Sequence, residues 1–483
     1  MRKKSLSRLF TVSIAILLSG CSFIPHFERP VAPVASSYPT FNRAEDGSAT
    51  LISSTEAGAS NVAWEDFFTD DKLKQLIQLA LINNRDLRVA VLGIEQTRAQ
   101  YQIRRADQLP GLNGVVSGSR TPTANSGNTS LYTVGLAVTA YELDFFGRVS
   151  SLKEVALGQY LASIEGRKTA QISLIASVAN TYLSILASDQ LLEITRQTLA
   201  TRLESIKLSQ LRFDNGVTSE LDYRQAESLV EAARVAYAQQ QRQRAFDVNA
   251  LTLLVGRPLA DELSTAGVQA IAFEKVQLLA NIPAGLPSEL LINRPDIRQA
   301  EQLLLTSNAN IGAARAAFFP RISLTVGIGS ASNELSGLLK SGSWGLLLAP
   351  QLLLPIFDGG RNQAGFESAN VARDVGIAQY EKTIQNAFRE VADALAAQAT
   401  LADQFTSQQA QANAEAVRFK LSNLRYQNGI SSYLDLLDAQ RSLFTAQQLV
   451  VQTHLAQLQS RVTLYKTLGG GWKDPFENAL RHK

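Results

Sequence analysis

The sequence predicts a mainly α chain that also carries four membrane-type β-strands, laid out as two copies of one design. Three observations carry that prediction: long proline-free stretches with a seven-residue apolar repeat, short segments with strict two-residue alternation, and an internal duplication. At 483 residues, with 45% hydrophobic and 18% charged residues, the chain is neither disordered nor a bundle of membrane helices.

At the N-terminus, Arg2, Lys3, Lys4 and Arg8 precede the apolar run Leu9 to Leu18. That run is too short to span a bilayer but has the size of a signal-peptide core. It ends in Leu18-Ser19-Gly20-Cys21, which resembles a bacterial lipobox, so residues 1–20 read as a signal and Cys21 as the acylated mature N-terminus. Ser22 beside the cysteine resembles the sorting pattern for the outer membrane. An extended lipidated segment, 21–72, follows.

The duplication is plainest where Lys207 to Asp222 realigns with Lys420 to Asp435, about ten of sixteen positions being identical. The register continues forward to Gly256 and Gly469 and back to Gly147-Arg148 and Gly360-Arg361. Asn84-Arg85-Asp86-Leu87-Arg88 mirrors Asn293 to Arg298 with one inserted proline. A first repeat at 73–256, a connector at 257–286, a second repeat at 287–472 and a tail at 473–483 follow from this.

Within the first repeat Val178, Ile185, Leu192, Leu199, Ile206 and Phe213 recur every seven residues. Ile377, Ile384, Val391, Phe405, Phe419 and Tyr426 keep the matching phase in the second, with Gln398 and Ala412 interrupting. This is coiled-coil-like packing, and a helix from Ser150 to Phe213 would be roughly 95 Å long. Each long helix stops at Asn-Gly, and a second one starts near Ser219 or Ser432 as N-cap, which makes helical hairpins with tips at Gly216 and Gly429.

Between the helices the period becomes two. Tyr132, Val134, Leu136 and Val138 alternate with small or polar residues, as do Ile322, Leu324, Val326 and Ile328. A fainter strand covers Leu112 to Arg120, and another runs from Trp344 to Leu354, with a bulge or bend expected at Pro350. Strands of about ten residues suit a tilted membrane barrel. Four cannot close one, because open edges in lipid leave backbone groups unpaired, so the chain must oligomerise. A dimer would give eight strands and a trimer twelve, and strand arithmetic does not choose between them; a soluble two-sided sheet is the competing interpretation. Tyr132, Tyr141, Phe318, Phe319 and Trp344 lie near strand ends, as an interfacial aromatic belt or ordinary packing would place them.

Composition excludes much chemistry. Lys+Arg 46 against Asp+Glu 43 leaves +3, too balanced for a nucleic-acid partner. One Cys and three His allow no intrachain disulfide, zinc cluster or Cys/His pair, and His26, His454 and His482 are scattered, as surface or packing residues would be. No phosphate loop, zinc-protease or nucleophile-elbow motif occurs, so no enzyme activity and no cofactor is expected, and any transport is passive in this subunit.

Several segments together resemble one family. Glu142-Leu143-Asp144-Phe145-Phe146-Gly147-Arg148, Pro355-Ile356-Phe357-Asp358-Gly359-Gly360-Arg361, Leu434 to Arg441 and Tyr465 to Trp472 look like the TolC-like outer membrane factors, in particular the lipoprotein exit ducts of resistance-nodulation-division (RND) drug efflux pumps. The resemblance covers nearly all of the mature chain. It implies a homotrimer with a 12-stranded transmembrane β-barrel and a 12-helix periplasmic tunnel, joined to a periplasmic adaptor (membrane fusion) protein and an inner-membrane RND transporter. Its cargo would be small-molecule drugs, its surroundings outer-membrane lipid.

By the same resemblance, Asp435 and Asp438 stand at the acidic constriction of the periplasmic entrance, with Leu434 as an apolar ring beside them. Three copies of each carboxylate would repel one another and favour cations; taken alone, two aspartates three apart also fit a solvated helix start. Asp222 and Tyr426 match positions of a lock between inner and outer hairpins, and this chain has Ser431 where some relatives carry the arginine that completes it. Gly216 and Gly429 match the tip grooves that receive the adaptor. The expected function is therefore passive conduction of drugs and other small toxic compounds. The alternatives are a duct for secreted polypeptides or metal ions, or a structural periplasmic coiled-coil lipoprotein.

Overall fold

The computed structural model describes residues 22–39, 62–123, 127–259, 273 and 287–472. The signal, Cys21, most of the connector and the tail lie outside the described residues.

The elements run α1 (Trp64–Phe67), α2 (Asp71–Asn83), α3 (Arg85–Ala106), β1 (Leu112–Thr123), β2 (Gly127–Glu142), α4 (Arg148–Asp214) and α5 (Glu220–Val255). The second half repeats them as α6 (Pro287–Asn293), α7 (Pro295–Ala316), β3 (Arg321–Ser332), β4 (Trp344–Leu353), α8 (Arg361–Gln427) and α9 (Tyr433–Thr467). Both α4 and α8 have 67 residues, roughly 100 Å of helix each. The chain divides into two compact units: Met1–Ala32, Val91–Gly166 and Asp296–Thr383 make the first, and Pro33–Ala90, Arg167–Pro295 and Ile384–Lys483 the second.

In the first unit the four strands form one antiparallel sheet in the order β1-β2-β3-β4. Sequence neighbours pair throughout, so the two hairpins join where β2 meets β3. The bulge expected at Pro350 is absent: Pro350 pairs in regular register with Leu324, and β4 is an edge strand, where a missing N–H interrupts no ladder. The irregularity falls instead in β2 between Val138 and Tyr141, where Ala140 takes a φ of 50°. Every residue of β4 is exposed, including Leu346, Leu347, Leu348, Leu352 and Leu353.

Below the sheet, Glu142 at the end of β2 holds Arg148 of α4 through two hydrogen bonds, at 2.8 and 2.7 Å, and Arg321 of β3 at 2.7 Å. Phe319 stacks on Phe146 at 5.0 Å and on Phe23 at 4.7 Å, so this belt candidate packs against the N-terminal segment. That segment follows α7: Asn308 donates to the Pro25 carbonyl at 2.9 Å and Arg29 pairs with Glu301 at 2.6 Å. Trp344, the other extreme, is 61% exposed at the start of β4.

In the second unit the core is built from α1, α2, the C-terminal parts of α4 and α8, and α5 and α9. Phe67 stacks on Tyr465 at 4.2 Å, and Tyr465 donates its hydroxyl to the Val62 carbonyl at 2.7 Å. Asp70 caps α2 by accepting from the amides of Lys72 and Leu73, and Tyr182 donates to its other oxygen at 2.8 Å. His454 packs against Phe405 and Phe273 with ring centroids 5.0 and 4.8 Å away. Heptad residues Val178, Ile185 and Val391 are fully buried and Ile384 nearly so, whereas Phe213 near the tip is exposed.

The duplication is gapless where an inserted proline was expected. Gly256 abuts the Asn83 backbone and Gly469 that of Asn293, which aligns Asn84 with Arg294 and Arg85 with Pro295. Pro295 is simply the first residue of α7, a position where proline costs no hydrogen bond.

Candidate functional site

The hairpin tips form by the same local chemistry in both repeats. At the end of α4, Gly216 has a φ of +69°, its amide donates to the Phe213 carbonyl at 2.9 Å, and Val217 reaches back to Arg212 at 2.8 Å. At the end of α8, Gly429 has a φ of +73°, bonding Tyr426 at 3.0 Å while Ile430 bonds Arg425 at 2.9 Å. Both are Schellman stops, which need a residue without a Cβ penalty in the left-handed region. A Cβ at either glycine would meet nothing within 4 Å, so the outer faces of both tips are open.

Ser219 and Ser432 then cap α5 and α9, accepting from the amides of Asp222 at 3.2 Å and Asp435 at 3.3 Å. Asp222 and Asp435 are thus equivalent third residues of their helices, where a carboxylate also favours the helix dipole. Asp222 is further held by the hydroxyls of Thr218 at 2.8 Å and Ser219 at 2.9 Å.

Behind the tips a small core draws the four helices together: Ala226, Tyr433, Leu436 and Leu437 are buried, with Ile206, Leu229, Phe419 and Tyr426 packed on them. This fixes the rotation of α9. With Tyr433, Leu436, Leu437 and Gln440 inward, Leu434, Asp435 and Asp438 share its exposed face. The three constriction candidates therefore stand on one side of one helix. Their surroundings differ, however. Asp438 is ion-paired with Arg418 of α8, whereas the Asp435 side chain makes no hydrogen bond or ion pair among the described residues.

Of the lock candidates, Tyr426 lies with its ring 5.2 Å from that of Tyr433 and with the Arg212 guanidinium 4.7 Å from its centroid. Asp222 is near enough to Tyr433 to add to the effect of burial, which raises the pKa of that phenol. Among the described residues no hydrogen bond joins Asp222 to Tyr426; the Tyr426 ring packs on Tyr433, where the Asp222 charge is also felt. The Ser431 hydroxyl is buried without a partner. Sequence reasoning missed Tyr433, Arg212 and Arg418. Arg418 had one signal: it and Asp438 each lie ten residues from Asn428, which an antiparallel hairpin sets at the same level.

Among the described residues no group of three or more His, Cys, Asp or Glu is placed to hold a metal. The site offers charge, apolar side chains and shape, the properties of a passage or a contact surface.

The family model described as outer membrane efflux protein matches residues 76–257 and 286–470. The chain is 46% identical over 479 residues, 98% of its length and 96% of theirs, to the antibiotic efflux pump outer membrane protein ArpC and the toluene efflux pump outer membrane protein TtgC, both of Pseudomonas putida. Among solved structures it is similar to the open state of the MtrE outer membrane channel of Neisseria gonorrhoeae, with a TM-score of 0.83 and 39% identity over 94% of this chain and 99% of that one.

Proposed function

The chain belongs to the outer membrane efflux protein family, and from that premise we propose that three copies close a 12-stranded barrel and a 12-helix tunnel. Its fold is that of the TolC-like outer-membrane channels, a helical tunnel with a β-barrel, and it is an outer-membrane channel for efflux. The observation that carries the oligomer is the sheet itself. Neither outer edge, on β1 or β4, pairs with another strand among the described residues, and β4 exposes leucines on both faces. In lipid such edges must be closed by further copies.

In this reading Cys21 carries the lipid anchor and the two repeats, 73–256 and 287–472, each supply one strand pair and one hairpin. Leu434, Asp435 and Asp438 line the periplasmic entrance, Asp222 and Tyr426 hold the hairpins through Tyr433, and the tips at Gly216 and Gly429 meet a periplasmic adaptor coupled to an inner-membrane RND transporter. The duct performs no catalysis and conducts passively. Its cargo is small toxic compounds, of the kind that the names of its relatives give as antibiotics and toluene. Relatives named for antibiotics and toluene favour this cargo over polypeptide or metal export and over a purely structural rod.

The test is accumulation of a panel of dyes, antibiotics and aromatic solvents in the host, with the chain deleted and then restored. Higher accumulation on deletion, reversed on restoration, is expected. Unchanged accumulation of the whole panel would remove the small-molecule assignment and leave the channel fold standing.

A further inference from the structure

Some twenty ångströms from the tip by helix rise, a buried cation faces a cavity with no carboxylate paired to it among the described residues. Arg202 of α4 is 5% exposed, yet its Nε has no hydrogen-bond partner. One terminal nitrogen donates to the Leu229 carbonyl at 2.9 Å, and the guanidinium lies 5.4 Å from the Phe444 ring centroid. The charged group felt most at Arg202 is another cation, Arg441; with burial, which comes first, it lowers the Arg202 pKa. A guanidinium stays protonated under such conditions, so the positive charge remains.

This is an unusual arrangement for a structural residue. A buried charge is ordinarily paired, because an uncompensated one costs several kcal/mol. Elsewhere in the same unit the partly buried arginines have their partners: Arg244 pairs with Asp189, and Arg294 with Glu390 at 2.9 Å. At Arg202 the partner is missing and a space stands in its place.

That space is a half-open pocket of about 140 Å³ where α4, α8 and α9 converge, with Gln197 and Thr201 at its exposed mouth. It is roughly ten times the volume that a single water needs by the same kind of measure. Gln197, Thr198, Thr201, Gln440 and Gln447 supply its polar lining, and Phe419 and Phe444 supply aromatic walls. The Gln440 side-chain oxygen is also buried without a partner, so the lining holds unused capacity of both kinds. A guanidinium edge presents donors in the geometry that a carboxylate accepts, and the phenyl walls suit a small apolar body attached to it.

We propose that this cavity binds a small organic carboxylate with an aromatic or apolar body, its anionic end on Arg202 and its body between Phe419 and Phe444. The site shares Phe419 with the core behind the tips but includes none of Leu434, Asp435 and Asp438, and it does not depend on conduction. It would give the channel a solute that stabilises the convergence of three helices behind the entrance. The Coulombic partner could also come as a side-chain carboxylate of a second copy, and the experiment separates the two sources.

Full-length protein purified in detergent, in its assembled state, is titrated with benzoate and with the neutral isostere benzamide by calorimetry. Benzoate is expected to bind at least tenfold more tightly than benzamide, and Arg202→Met, checked for intact assembly by size and thermal transition, is expected to abolish that preference. Should Arg202→Met fail to assemble, Phe444→Ala serves, lowering benzoate affinity several-fold. Equal binding of benzoate and benzamide, no binding of either, or benzoate binding unchanged in the variants would overturn the proposal. Binding by dissociated protomers but not by the assembled protein would overturn it too, assigning the partner to a carboxylate of a neighbouring copy.

Discussion

The side-chain amide of Asn84 donates to the carbonyl of Leu254 at 2.8 Å, closing the C-terminal end of α5 onto the start of α3. The same side chain accepts from the Leu87 amide at 2.9 Å and so caps α3. In the second repeat Arg294 takes the matching place and donates to the carbonyl of Thr467 at 2.9 Å. Two different side chains thus satisfy the same orphan carbonyl at the end of a long helix.

Asn84→Ala removes a cap and leaves a half-buried carbonyl without its donor. A loss of about 1–2 kcal/mol is expected. Thermal or denaturant unfolding of the purified protein checks it. A loss within measurement error would mean that water takes over both roles.

Gly135 and Gly329 face each other where β2 pairs with β3, the seam between the two hairpins. A Cβ on Gly135 would sit 2.4 Å from the Ile328 carbonyl oxygen, and one on Gly329 2.4 Å from that of Val134. The obstacle is backbone on both sides, which cannot turn aside as a side chain could. Gly135→Val should therefore separate the strands and greatly reduce insertion into membranes, while Gly345→Val, where nothing lies within 4 Å, should insert normally. Membrane fractionation with a heat-modifiability gel reads this directly; equal insertion of the two variants would refute the seam argument.

Tyr182 is buried and donates to Asp70. Burial first, then the Asp70 carboxylate, raises its pKa above the ordinary 10.0. The folded state keeps this proton at a pH where the unfolded chain has lost it. The resulting stability is fully present below pH 10 and is lost as pH rises further. Tyr182→Phe should cost about 1.5–3 kcal/mol at pH 8 for the lost bond to a charged acceptor. It should also show a smaller fall in stability between pH 8 and 10.5 than the parent. Some fall should remain, since burial also raises the pKa of Tyr465. An undiminished fall would clear Tyr182 of the alkaline effect.

The fold was legible because its signals are local and periodic. A seven-residue apolar repeat, two Asn-Gly stops and period-two strands name their elements without any knowledge of neighbours, and α4 ends within a residue of where Phe213 suggested. Proline misled twice. Matching identical letters put a gap before Pro295, though proline fits as a first helical residue, and Pro350 suggested a bend, though an edge strand tolerates it. The real bulge, at Ala140, has no residue type to announce it. At the tip the shared face of Leu434, Asp435 and Asp438 follows from helical spacing. Its partners do not: Arg418, Arg212 and the hub at Tyr433 depend on how four helices turn toward one another, which only packing decides.

That packing makes Asp435 and Asp438, proposed to line the entrance, unequal, and the inequality is measurable. Asp438 shares its charge with Arg418, while Asp435 carries its own outward with no partner among the described residues. Both members of the pair are about half exposed, so solvent screens the contact and its worth to stability is small. Its effect on a nearby ion is another matter, because a multivalent cation can be coordinated directly by the unpaired Asp435 carboxylate, whereas at Asp438 it meets the Arg418 guanidinium, which also holds Glu415 at 3.1 Å. In single-channel recordings of the purified protein, Asp435→Ala should relieve block by multivalent cations more than Asp438→Ala does, while cation preference falls by a similar amount in both, since each variant removes one negative charge. Arg418→Ala should shift selectivity the other way, toward cations, by freeing the second carboxylate. The difference between the two aspartates should shrink at high salt, where the pair and the bare charge are both screened. Equal relief of block by Asp435→Ala and Asp438→Ala at low salt would mean that the Arg418 pair is not kept in the conducting channel, and no effect of either on selectivity or block would remove both from the constriction.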